Sequence, residues 1–139
     1  MSTKRPPSGR LIQLSPEDHA AAQRQPQREY YERLDAYRTR QAAAEAEGIP
    51  ALRRLVQVAR GGSGQCHHVR RFLLGLYNGY RWPFELVRLR ALDADLADDC
   101  LTVLRMDLTP RKEIHLFLEG GDEFFQKFWE MESDDGEEE

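Results

Sequence analysis

The sequence predicts an all-α fold, a small helical bundle of about five helices preceded by a helical N-terminal arm. Three observations carry this expectation. Apolar residues recur at spacings of three and four through residues 52–59, 66–77 and 96–104, which places each set on one helix face. No segment shows the alternating β-branched pattern of a strand. Helix start and stop residues punctuate these stretches at Ser15-Pro16, Gly61-Gly62-Ser63-Gly64, Asn78-Gly79, Asp93, Thr109-Pro110 and Gly120-Gly121.

Residues 1–14 hold two prolines, a glycine and scattered basic residues, and read as a disordered basic tail. Residues 15–48 read as the arm. Ser15 is the expected N-cap, with Pro16 at the first helical position and Glu17 and Asp18 in the first turn. Pro26 is expected to end or kink that helix. A second helix over 27–47 carries a seam of Tyr30, Leu34, Tyr37, Gln41 and Ala44, and Gly48 is its expected stop.

Residues 49–132 hold almost all the core-forming side chains and form the predicted helical domain. A helix from about Pro50 to Arg60 turns Leu52, Leu55, Val56 and Ala59 inward and Arg53, Arg54, Gln57 and Arg60 outward. From about Gly64 to Asn78 the apolar sector is Cys66, Val69, Phe72, Leu73, Leu76 and Tyr77, with His67, Arg70 and Arg71 outside it. Leu74 is the exception, apolar among polar neighbours, and is expected to touch a second element or a partner. Tyr80 to Phe84 is an aromatic connector, and Pro83 opens a short helix through Leu86, Leu89 and Leu92. Asp93 caps a helix to about Asp107 that buries Leu96, Ala97, Cys100, Leu101, Val103 and Leu104. Thr109-Pro110 starts another through Ile114, Phe117 and Leu118. Asp122 caps the last, with Phe124, Phe125, Phe128 and Trp129 on one side, and residues 133–139 are an acidic tail.

The net charge of −4 hides a segregation. Residues 48–92 carry eight arginines against Glu85 alone, whereas residues 93–139 carry sixteen acids against four bases. Such asymmetry suits a nucleic-acid surface, an acidic tail, or two parts of one fold that attract each other. Only two cysteines occur, both within apolar helical patterns, which is not a disulfide scaffold. No apolar run approaches the ~20 residues of a membrane span. The expected setting is cytoplasmic, with no membrane association.

The run ALRRLVQVARGGSGQCHHVRRFLLGLYNGYRWPFELVRLRALD, with DDCLTVLRMD after it, resembles an uncharacterised family of small proteins encoded in proteobacterial integrating conjugative elements and plasmids. The resemblance covers roughly the C-terminal two-thirds of the chain. It transfers no catalytic residue. It implies a bacterial, mobile-element context and an accessory or interaction role.

Four candidate sites stand in the sequence. Cys66-His67-His68, with Cys100 and His115, has the residue types of a zinc site, but neighbouring helix residues diverge by about 100°, so Cys66 and His67 do not share one ion readily. No metal site and no cofactor are expected. Cys66 near a helix start could be an activated thiol with His115 as its base. The GGSG turn offers backbone N–H groups to an anion without matching a P-loop. The fourth is a basic face of Arg53, Arg54, Arg60, His67, Arg70, Arg71 and Arg81, which could lie along a nucleic-acid backbone. Its bland alternative is a solvated face that offsets the acidic half of the chain. Leu74, Trp82, Phe125 and Trp129 are candidate anchors for a protein partner. The preferred reading is a non-enzymatic protein-interaction module, partner unknown. The alternative is a nucleic-acid-binding accessory protein, and a cysteine-dependent enzyme comes third.

Overall fold

The computed structural model describes residues 15–137. Among these the fold is all-α, a small helical bundle: α1 (Pro16–Ala59), α2 (Gly64–Tyr77), α3 (Ala94–Asp107) and α4 (Gly121–Glu137), with 3-10 helices at Leu86–Ala91 and Ile114–Phe117. The predicted disordered tail at 1–14 lies outside the described residues, as do the last two positions. The described residues divide into two units, one up to Ala36 and one from Tyr37.

In the first unit, the Ser15 hydroxyl accepts from the Asp18 N–H at 3.1 Å and donates to the Asp18 carboxylate at 2.7 Å. This reciprocal cap satisfies one of the orphan donors at the helix start. From Pro16 to Ala36 every described side chain is exposed except Ala20 and Leu34, which are partly covered.

Pro26, Gly48 and Pro50 do not end α1. Around Pro26, the alanines, glutamines, arginines and glutamates of the flanking turns are strong helix formers and offset the one lost hydrogen bond. Gly48 has a packing role. A Cβ there would stand 2.8 Å from Met106 Cβ and 2.7 Å from its sulfur, so the glycine lets α3 approach the α1 backbone. On the same side of α1, Ala44, Ala51, Leu52, Leu55, Val56 and Ala59 are buried. That burial holds the helix through Pro50. Gly48→Leu is expected to destabilise the fold by about 1–3 kcal/mol through overpacking, read as a lower urea midpoint.

The core of the second unit joins these residues to Val69, Phe72 and Leu73 of α2, Cys100, Val103 and Met106 of α3, Ile114, and Phe125 and Phe128 of α4. α2 is the central element, packed against α4 and both 3-10 helices. Two expectations are corrected, the outward placing of Arg70 and the buried set of α3, whereas Leu74 joins the core, in line with the expected contact to a second element. Leu74 is fully buried, and so is Arg70, at 5% exposure. On α3 the buried set shifts to Cys100, Val103 and Met106, leaving Leu101 exposed. The Thr109-Pro110 start yields only the short turn Ile114–Phe117, and α4 begins at Gly121 and continues to Glu137, into the predicted tail. Gly120, at φ +72°, makes the turn before α4, and a Cβ on Gly121 would overlap the His115 carbonyl oxygen.

Candidate functional site

The basic face divides into three groups. The first is an interior cluster. Phe125, Phe128 and Glu132 recur at spacings of three and four along α4, so Glu132 lies on the buried stripe and is fully enclosed. His67 and, a turn further along α2, Arg70 and Arg71 converge on it. Arg70 Nε donates to Oε2 at 2.8 Å, while Arg71 Nε donates to Oε1 at 2.6 Å and His67 Nδ1 stands 2.7 Å from the same oxygen. Arg70 Nη1 also donates to the carbonyls of Ala59, at 2.9 Å, and Gly61, at 2.7 Å. It thereby serves the orphan carbonyls at the end of α1. Burial pushes the Glu132 carboxyl up, but hydrogen bonds from Arg70, His67 and Arg71 outweigh it and hold the group below the usual carboxylate range. Arg88 extends the network, with Nη1 3.3 Å from His67 Nε2 and 3.1 Å from His68 Nδ1. An arginine only donates, so in these contacts the two histidine nitrogens accept. Burial first, then Arg88 and His67, push the His68 pKa down.

The second group is paired or stacked at the surface. Arg54 makes two bonds to Asp99 at 3.0 and 2.8 Å. Arg60 bonds Gln57 at 3.2 Å and lies over the Phe124 ring. Arg81 lies 4.2 Å from the Trp82 ring centre, with Arg71 4.7 Å from the same ring. Arg53, the third group, is exposed and has no ion pair, side-chain hydrogen bond or ring contact among the described residues.

The four candidate partner anchors are not a surface. Leu74 and Phe125 are fully enclosed, Trp82 is 2% exposed and Trp129 is half-buried against Trp82 and Tyr77. Trp82 and Phe125 are large apolar side chains that fill the space between helices, which is their commoner use. The cysteines are both free. Cys66 Sγ lies 3.1 Å from Ser63 Oγ, and burial pushes the Cys100 thiol up to about 12. His115 faces Tyr77 and Asp122 instead. The described residues contain no group of three His, Cys, Asp or Glu placed to hold a metal.

Two surface features escaped the sequence reading. One is a groove of about 480 Å³ between α1 and the end of α3, lined by Tyr37, Arg40, Ala44, Glu47, Arg105 and Leu108. Positions 37, 40, 44 and 47 form one helix stripe. Tyr37 and Gln41 belong to the predicted seam, and Gln41 fixes the groove's edge by donating to the Thr109 carbonyl at 3.0 Å. The other is a cavity of about 400 Å³ at the end of α2, lined among others by Leu76, Tyr77, Asp107 and Ile114. Burial pushes the Asp107 carboxyl up. A folded-state pKa above the unfolded one means the ionised group costs stability at neutral pH, a cost that vanishes below the unfolded carboxyl value of about 4. Asp107→Asn is therefore expected to raise the melting temperature at pH 7 and to leave it nearly unchanged at pH 3.

A small all-α bundle knit by an enclosed carboxylate–cation cluster is the class these features define. Residues 49–133 match the family of unknown function DUF7673, and the chain belongs to that family. No curated protein and no solved structure matches it. No helix among the described residues is long and apolar enough to cross a membrane.

Proposed function

We propose that this chain is a non-enzymatic protein-binding module that receives an acidic amphipathic helix in the α1–α3 groove. The groove's composition carries the reading. Tyr37 and Leu108 flank it at 43% and 79% exposure and so offer apolar contacts open to solvent. Arg40 and Arg105 line it with no ion pair among the described residues. Apolar anchors with arginines beside them suit a helix that presents leucine-type residues flanked by carboxylates. The resemblance to small proteins of conjugative elements and plasmids supports an accessory role in a bacterial cytoplasm.

The nucleic-acid alternative is weakened by the geometry. Arg70, Arg71 and Arg54 are engaged by Glu132 and Asp99, so the arginine run of residues 48–92 serves in part to hold the acidic half of the chain.

Leu108→Asp tests the proposal, because so exposed a position tolerates substitution within about 0.5 kcal/mol. The variant is expected to keep the wild-type melting curve and to lose a partner that wild type retains through nuclease treatment and moderate salt. A partner retained equally by both, or released by nuclease, would refute it.

A further inference from the structure

We propose that the cavity at the end of α2 binds an organic cation, an alkylammonium group with an apolar stem, through the Asp107 carboxylate. This site is separate from the α1–α3 groove, and neither reading depends on the other.

The walls and the charge arrangement argue for it together. Leu76, Tyr77, Pro110 and Ile114 give apolar sides for a methylene chain. Tyr77 is fixed by its edge-on contact with His115, ring centres 5.1 Å apart, and by packing on Phe125 at 5.1 Å. A fixed aromatic wall suits an organic cation.

Among the other charged groups of the lining, Arg111 has an ion-pair partner in Glu45, to which its Nε donates at 2.8 Å. Lys112 Nζ stands over the Phe117 ring at 5.4 Å. Glu113 is largely exposed and faces His115 Nδ1 at 3.7 Å. Asp107 has no ion pair among the described residues, and burial pushes its carboxyl up.

Asp107 is also the last residue of α3, where the helix dipole disfavours negative charge. A carboxylate held against both burial and the dipole is a stability cost, and such costs concentrate at binding sites. A ligand ammonium supplies the missing counter-charge and a charge-assisted hydrogen bond.

The test is a nuclear magnetic resonance titration of the full chain with n-butylammonium chloride, with butan-1-ol as the neutral isostere and sodium chloride as the salt control. N-acetyl-lysine methylamide is titrated in parallel. Saturable shifts at Tyr77, Asp107 and Ile114 are expected from the two ammonium probes and not from the alcohol or the salt. Asp107→Asn, expected to fold with higher stability, should weaken binding by about tenfold or more, the factor carried by one lost hydrogen bond to a charged group. Tighter binding of the lysine derivative identifies a partner's side chain as the source of the cation, and tighter binding of butylammonium a free amine. The proposal is overturned if neither ammonium probe gives saturable shifts, if butan-1-ol matches butylammonium, or if Asp107→Asn binds as tightly as wild type. Should Asp107→Asn fail to fold, the comparison of ammonium with alcohol on the wild-type chain decides alone.

Discussion

Glu132→Gln is expected to destabilise the protein by about 3–5 kcal/mol, because it leaves the enclosed Arg70 guanidinium without its counter-charge. Arg70 keeps its bonds to the Ala59 and Gly61 carbonyls, but those neutral acceptors do not compensate a full charge. The same pair sets the acid response. The Glu132 carboxyl is held below its ordinary value, so its contribution is present above the unfolded carboxyl pKa of about 4 and is lost as pH falls through the folded value. The wild type should lose stability steeply in acid, and Glu132→Gln should flatten that dependence. Chemical denaturation at a series of pH values reads both effects. The paired variant Arg70→Met with Glu132→Leu should cost less than Glu132→Gln alone, since no charge is then left stranded. A paired variant as unstable as the single one would show that packing, not charge, is what Glu132 supplies.

The second large effect is Trp82→Ala, expected to cost about 3–5 kcal/mol by emptying a core position. It also removes the ring on which the Arg71 and Arg81 guanidiniums rest. The outcome separates two roles that the sequence left open for this residue. A plug in the core loses stability on truncation, whereas a surface anchor for a partner would lose affinity with the melting temperature unchanged. Thermal unfolding of the isolated chain distinguishes them.

Much of the bundle was legible because its signals are local. The α2 sector of Val69, Phe72, Leu73 and Leu76, the GGSG break and the Asp93 start depend on residues within a turn or two of each other. The misreadings occur where a distant residue decides. Pro26, Gly48 and Pro50 carry strong stop signals, but Gly48 is needed where Met106 arrives from 58 positions away. Arg70 looked outward because α2 was given one buried side, and it has neighbours on more than one. The Glu132 cluster did leave a trace. A lone carboxylate continuing the Phe125 and Phe128 spacing on an apolar stripe requires a buried cation, and Arg70 with Arg71 was the available pair. Nothing in the spacing indicated that Leu108 and Tyr37 would flank one groove, or that Asp107 would line a cavity, since both depend on how α3 ends against its neighbours.

The most direct test of the proposed function is photo-cross-linking in the organism that encodes the chain. A photoreactive residue is placed at Leu108, beside the groove, or at Leu101, which is also exposed on α3 but lies outside it. A discrete protein adduct that resists nuclease is expected from position 108 and not from 101. Adducts of equal yield from both positions, or none from 108, would contradict the assignment of the groove as the binding surface.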